Sequence, residues 1–174
     1  LIGQWVSDHH QWEVKKEWIG YVRGIVPALS LTVQCFTEPG DEVIVQTPVY
    51  YPFFNVIRHN HRTLLQSQLL EKNGKFEMDF EDFERQITPK TKMFFLCNPH
   101  NPGGRVWSKE ELLKIEAICT KHNILVISDE IHADMVLSGH KHILSKYLYL
   151  FEVSTILGFH LSHKRLMPSL SYAR

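Results

Sequence analysis

The sequence predicts an α/β fold, a three-layer sandwich in which helices cover a mostly parallel sheet. Short apolar runs alternate with amphipathic stretches through the middle of the 174-residue chain, and strands that alternate with helices usually form parallel sheets. The apolar content of 44% is enough to build one core. Tight turns are expected at Pro39-Gly40-Asp41, Asn73-Gly74 and Pro102-Gly103-Gly104.

Five strands and four helices are predicted. The strands are Glu42–Gln46, Arg62–Gln66, Lys92–Cys97, Ile124–Ser128 and, with the weakest pattern, Thr155–Phe159. The helices are Val26–Phe36, Tyr51–His59, Asp79–Gln86 and Ser108–His122. The last helix has the clearest signals, because Ser108 and Glu111 are spaced as a capping box and an apolar stripe follows them.

Charge and composition exclude several classes of function. Lysine plus arginine equals aspartate plus glutamate, 19 against 19, so no nucleic-acid or anionic-membrane partner is expected. No apolar run approaches the roughly 18 residues of a membrane span, and no secretory leader is recognised. Cys35, Cys97 and Cys119 each have apolar neighbours, which predicts buried free thiols in a reducing compartment, the cytosol. The chain starts at Leu1 within what resembles mid-domain sequence, so a fragment is expected.

Polar residues follow two predicted strands at the point where the apolar sequence stops. Asn98–Asn101 follow one strand and Asp129 follows another, and ligands of open α/β sheets bind beyond the carboxyl ends of the strands. A carboxylate at the end of a buried strand needs a cationic partner. Asp129 therefore either pairs with a cation, such as a protonated pyridine nitrogen, or caps a following turn.

Other kinds of site have weaker support. His132, His140 and His142 lie close together in sequence, but neither HExxH nor paired CxxC accompanies them, so no metal site is expected. The chain has no GxGxxG motif, Walker lysine or GxSxG motif, which argues against a nucleotide site and a serine hydrolase.

Four segments in order carry a family resemblance: GIVPALS from Gly24, FTEPGDEVIVQTPVYYPF from Phe36, FLCNPHNPGGRVWSKEEL from Phe95 and VISDEIHADMVLSGHKH from Val126. They resemble the fold-type I pyridoxal-phosphate enzymes of the class I/II aminotransferase superfamily. The closest similarity is to the cystathionine β-lyase-like, or carbon–sulfur lyase, branch. The fold implied is part of the large domain of such an enzyme.

The resemblance implies specific contacts with pyridoxal 5'-phosphate. Asp129 would pair with the pyridinium nitrogen and Asn101 would donate to the ring hydroxyl. Tyr50 would stack on the ring, with Tyr51 as the alternative if the register differs by one residue. His132 stands where many aminotransferases carry a tyrosine, and histidine there is typical of the lyase branch.

The resemblance also assigns the phosphate contacts and the catalytic lysine. The backbone N–H groups of Ile25 and Val26 would bind the phosphate at a helix N-terminus. Lys164 follows Asp129 by 35 residues (164 − 129 = 35), as expected for the lysine that holds the cofactor covalently and moves the α-proton. His163 replaces the usual hydroxyl residue, and Ser162 would partly substitute as a phosphate ligand. The alternative is that Lys164 is an ordinary surface lysine.

The resemblance implies β-elimination from a sulfur amino acid such as cystathionine or cysteine in the full-length protein. Residues 1–174 would form a single partial large domain, without the small C-terminal domain whose arginine grips the substrate carboxylate. A homodimer is implied at full length. An aminotransferase and a truncated or degenerate non-catalytic relative are the alternatives.

Overall fold

A computed structural model describes residues 2–137, 139–143, 150–153 and 159–162 of the chain. The helices are α1 Ile2–His10, α2 Ile25–Phe36, α3 Pro52–His59, α4 Phe80–Arg85 and α5 Lys109–Lys121, with short 3-10 turns at Lys16–Trp18 and Ala133–Met135. The strands are β1 Ile19–Tyr21, β2 Glu42–Thr47, β3 Thr63–Gln68, β4 Leu70–Lys72, β5 Lys75–Glu77, β6 Thr91–Cys97, β7 Leu125–Asp129, β8 Leu150–Val153 and β9 Phe159–Ser162. Among the residues described, no helix has the length and apolar character needed to cross a membrane.

Seven of the described strands form one sheet in the order β1-β9-β8-β7-β6-β2-β3. Strands β8, β7, β6, β2 and β3 run parallel to one another, whereas β9 pairs antiparallel with both β8 and β1. Strands β4 and β5 form a separate hairpin. The prediction of a mostly parallel sheet is therefore confirmed.

Helices cover the two faces of the sheet because side chains alternate along its buried strands. Val43 and Val45 of β2 pack in one core with α2 and α3. Ile44, which lies between them, packs in a second core with α5 and Phe83 of α4. The three-layer arrangement follows from this alternation.

Most predicted elements are present, and their ends agree to within two residues. The capping box of α5 is complete, since the Ser108 hydroxyl accepts from the Glu111 N–H and Glu111 accepts from the Ser108 N–H. Asp79 caps α4 in the same way, accepting from the Asp82 N–H. Most of the predicted strand Thr155–Phe159 lies outside the described residues, although Phe159 begins β9. Helix α1 and strands β1, β4, β5 and β8 were not predicted.

One prediction about the cysteines is wrong. Cys97 and Cys119 are buried as expected, but Cys35 is exposed. Helix α2 buries Leu29, Thr32 and Val33 against the sheet. Cys35 lies two residues after Val33, about 200° around the helix, so it faces away from the core despite its apolar neighbours in sequence.

Candidate active site

A cavity of about 300 Å³ opens at the carboxyl ends of β6 and β7, beside the first turn of α2. Its lining consists of Ile25, Val26, Tyr50, Cys97, Asn101, Asp129, Ile131 and His132. Six of these residues are among those for which the sequence predicted cofactor contacts. Sequence reasoning did not assign Cys97 or Ile131 to the cavity, although each lies within four residues of a predicted position.

The first turn of α2 provides a site suited to an anion. Gly24 precedes the helix with φ of +99°, and no side chain caps the N-terminus. The first N–H groups of a helix have no partners within it, and the helix dipole favours negative charge at this end. Ile25 and Val26 therefore contribute both apolar lining and backbone donors.

Asp129 is the last residue of β7 and is only 4% exposed. Within the described part of the chain its carboxylate accepts one hydrogen bond, from the Ile131 N–H at 3.1 Å, and no lysine or arginine pairs with it. Burial, reinforced by the negative charge of Glu130, raises the pKa of Asp129 to about 6. The carboxylate is thus held at the cavity without a cation to balance it.

The neighbouring acid is arranged differently. Glu130 is 1% exposed, but the Ser128 hydroxyl donates to its carboxylate at 2.9 Å and the His142 ring lies 3.0 Å from its other oxygen. Two adjacent acids are therefore buried, and the protein supplies close side-chain partners to only one of them. Asp129 is the acid that faces the cavity.

A turn after β6 presents Asn101. Its backbone N–H donates to the Cys97 thiol at 3.3 Å, while its side-chain amide has no hydrogen-bond partner among the described residues. Asn98 is fully buried and holds the base of the turn, accepting from the Trp107 N–H and donating to the Ile143 carbonyl. The Asn101 amide is consequently available to a ligand on a well-supported turn.

The aromatic wall comes from Tyr50, which is 37% exposed. Its ring meets that of Phe53 edge to face, with centroids 6.2 Å apart. Tyr51 is 69% exposed and does not line the cavity, so the geometry favours Tyr50 over the alternative register.

A second cavity, of about 380 Å³, adjoins the first and shares Asn101 and His132 with it. Its walls include His100 and His140 together with the exposed apolar side chains Met135 and Leu137. His132 therefore lies between the two cavities.

The remaining predicted positions lie at the carboxyl-terminal end of the chain. Ser162 ends β9, where its backbone pairs with Phe151 of β8. Lys164 lies outside the described residues.

The model of the family described as aminotransferase class I and II matches residues 1–156. The chain belongs to this family. Its members include enzymes with different reactions, as the relatives of this chain illustrate. Cystathionine beta-lyase PatB of Bacillus subtilis is 51% identical over 139 residues, which cover 79% of the chain and 36% of that protein. Aspartate aminotransferase of Sulfolobus acidocaldarius is 31% identical over 140 residues, covering 79% of the chain and 35% of that enzyme.

Solved structures agree with the family assignment. Cystalysin from Treponema denticola, whose structure contains a pyridoxal 5'-phosphate cofactor, superimposes with a TM-score of 0.84 at 39% identity. The match covers 88% of the chain and 41% of cystalysin. The chain thus spans well under half the length of the relatives it matches.

Proposed function

We propose that this chain forms the pyridoxal-phosphate-binding part of a carbon–sulfur lyase, which releases the thiol portion of a sulfur amino acid by β-elimination. The observation that carries the proposal is the contrast between Asp129 and Glu130. Glu130 is balanced by close side-chain partners, whereas Asp129 is buried at the cavity with a single backbone donor. A cationic ring nitrogen would complete that environment.

The other residues of the cavity fit the remaining parts of the same cofactor. Its phosphate would bind the uncapped N-terminus of α2, through the N–H groups of Ile25 and Val26. The Tyr50 ring would stack on the pyridine face, and the free Asn101 amide would donate to the ring hydroxyl. The volume of about 300 Å³ is at the lower end of the range for small-molecule sites.

Pyridoxal phosphate, when bound, serves as an electron sink for the carbanion formed at the substrate α-carbon. Asp129 would keep a proton on the ring nitrogen by presenting its negative charge. We propose that Lys164 holds the cofactor covalently and removes the α-proton, and that Ser162 assists at the phosphate. With water consumed, the substrate would yield a thiol, ammonia and an α-keto acid.

An aminotransferase is the second candidate, supported by the relative of that activity from Sulfolobus acidocaldarius. It shares every step up to loss of the α-proton. His132 favours elimination, because the resemblance associates histidine at this place with the lyase branch, and the higher identity to cystathionine beta-lyase PatB supports the same choice.

The whole protein is proposed to be a cytosolic homodimer that acts on a sulfur amino acid such as cystathionine or cysteine. Residues 1–174 would belong to its large domain, and the small domain that grips the substrate carboxylate would lie outside them. The fraction of the relatives that the chain spans supports this division. Its two buried thiols, Cys97 and Cys119, suit a reducing compartment.

Cofactor binding can be tested on the purified chain. Pyridoxal phosphate is added, the adduct is reduced with borohydride, and the modified lysine is mapped by mass spectrometry beside the visible absorption spectrum. We expect modification at Lys164 that is lost in Asp129→Ala and retained in Asp134→Ala, a change to an exposed acid nearby. Scattered labelling of several lysines, unchanged in Asp129→Ala, would support the degenerate, non-catalytic alternative.

The reaction class is separated by product analysis on the whole protein loaded with cofactor. Ammonia and pyruvate from cysteine or cystathionine indicate elimination. Accumulation of the pyridoxamine form of the cofactor, with no ammonia, indicates transamination and would contradict the lyase proposal.

A further inference from the structure

We propose that His100 is a positioning residue, whose buried imidazole supports the turn carrying Asn101 and so holds one wall of the cofactor cavity in place. This inference rests on the proposed function, since it assigns a purpose to a residue that does not line that cavity.

The ring is enclosed by aromatic side chains from separate parts of the fold. His100 is 3% exposed. Its centroid lies 5.4 Å from that of Trp107 and 6.4 Å from that of Phe76, which belongs to the β4–β5 hairpin. These contacts bury the ring between the turn that carries Asn101 and the β4–β5 hairpin.

One nitrogen faces the turn that carries Asn101. The Gly103 N–H donates to Nδ1 at 3.3 Å. The backbone of His100 adds two more hydrogen bonds, donating to the Arg105 carbonyl at 2.7 Å and accepting from the Gly104 N–H at 2.8 Å. Asn101 is thus held within a turn that both the ring and the backbone of His100 support through hydrogen bonds.

Close approach of the ring to this turn requires glycine at position 103. A Cβ atom there would lie 2.6 Å from Nδ1 of His100 and 2.8 Å from Cδ2 of Phe76. The ring, the hairpin and the turn are therefore in direct contact, with no room for a side chain between them.

The other ring nitrogen, Nε2, is on the side away from the Gly103 N–H. Because Nδ1 accepts, a neutral ring carries its proton on Nε2. Nε2 is buried without a hydrogen-bond partner among the described residues.

The His100 ring is uncharged near neutral pH. Burial, with a smaller effect of the Arg105 guanidinium in the same direction, lowers the pKa of His100 to about 4, against the opposing effect of the Pro48 backbone. An imidazolium would place a proton on Nδ1, where the Gly103 N–H already points. Charging the ring would therefore break this hydrogen bond to the turn.

The first test is nitrogen NMR of the histidine side chains in the chain without cofactor. We expect His100 to show a protonated Nε2 and a bare Nδ1, unchanged from pH 7 down to pH 5. A protonated Nδ1, or titration near the ordinary histidine value, would overturn the proposal whether or not the chain binds any cofactor.

The second test measures pyridoxal phosphate dissociation constants by absorption titration. His100→Phe keeps the packing and removes both nitrogens, and we expect it to weaken binding about tenfold, as loss of an outer hydrogen-bond partner does at metal sites. His100→Asn restores an acceptor close to Nδ1 and should recover most of the affinity. His140→Phe, on the wall of the second cavity, serves as the matched control and should bind as the unsubstituted chain does.

The outcomes separate the two proposals. If the unsubstituted chain binds no pyridoxal phosphate, the proposed function fails while the NMR result still decides the geometry at His100. If it binds and a folded His100→Phe binds equally well, the positioning role is wrong. Should circular dichroism show that His100→Phe does not fold, the same comparison is made with His100→Asn, for which an affinity at least tenfold weaker than that of the unsubstituted chain would contradict the proposal.

Discussion

Asp129 and Cys97 are register partners at the carboxyl ends of the adjacent parallel strands β7 and β6, and both line the candidate active site. Burial, with a further contribution from the Asp129 charge, raises the pKa of the Cys97 thiol to about 12. The thiol therefore stays protonated and is a poor nucleophile. The thiol accepts a hydrogen bond from the Asn101 N–H instead. Cys97 therefore supports the turn, and Asp129 presents negative charge to the cavity.

Asp129→Asn should stabilise the chain without cofactor while weakening its binding of pyridoxal phosphate. The folded-state pKa of Asp129, about 6, lies above the ordinary 3.8. Ionisation of this buried acid therefore lowers the stability of the folded chain as pH rises between these values. At pH 7 this destabilisation amounts to about 3 kcal/mol. The amide introduced by the substitution is uncharged and still accepts a hydrogen bond from the Ile131 N–H. Urea denaturation at pH 7 and cofactor titration measure the two effects.

Asp134→Asn is the control for this substitution, because that acid is exposed and pairs only distantly with His10. It should change neither the free energy of unfolding nor the affinity appreciably. A destabilised Asp129→Asn would mean that the carboxylate has a structural partner, and the argument for a ligand cation would lose its basis.

The stability of the chain should respond to pH in opposite directions at Asp129 and His100. The pKa of His100 is lowered from 6.5 to about 4. The stability that depends on an uncharged ring is therefore complete above pH 6.5. About 3 kcal/mol of it is lost as pH falls through 4. Asp129 contributes the opposite slope between pH 4 and pH 6. The two effects largely cancel in the unsubstituted chain.

Each single substitution should reveal how the other residue makes the free energy of unfolding depend on pH. Asp129→Asn should lose stability on acidification from pH 6.5 to pH 4 more steeply than the unsubstituted chain does. His100→Asn should lose less, or gain. The free energy of unfolding of each variant is compared with that of the unsubstituted chain at each pH, so that the contributions of the other acids cancel. If the curves are parallel, the two residues do not titrate as inferred.

Cys35 should react with a thiol reagent far faster than Cys97 and Cys119. Cys35 is exposed, whereas burial raises the pKa of both other thiols. One equivalent of a chromogenic disulfide should react under native conditions and three after denaturation in urea. Cys35→Ser should abolish the native reaction, and persistent reaction in that variant would indicate that the core around Cys97 or Cys119 opens to solvent.

Trp107→Phe should destabilise the chain by about 2 kcal/mol, since it removes a buried hydrogen bond as well as volume. The indole N–H donates to the Cys97 carbonyl at 2.9 Å, and the residue is 1% exposed. Trp5→Phe on α1 changes a tryptophan that is only partly buried, and it should cost less. Equal losses, measured by urea denaturation, would argue against a special role for the Cys97 contact.

The residues of the candidate site that directly follow buried strands could be predicted from the sequence. An acid or amide directly after an apolar run marks the end of a buried strand, and parallel strands bring their carboxyl ends to one edge of a sheet. Asp129 and Asn101 could be grouped for that reason. Helix α1 and strand β1 were missed because short or weakly apolar segments gain their structure from partners distant in the chain.

The sequence by itself determined the alternation of strands and helices, the capping of α5 and the family resemblance, because these depend on local spacing and residue type. Tertiary structure alone decided that Cys35 faces outward, that Glu130 has close partners while Asp129 has a single donor, and that His100 packs between Phe76 and Trp107. Burial and electrostatic balance depend on which distant side chains meet. No local pattern in the chain specifies those neighbours, so the charge state of the site is a property of the folded protein.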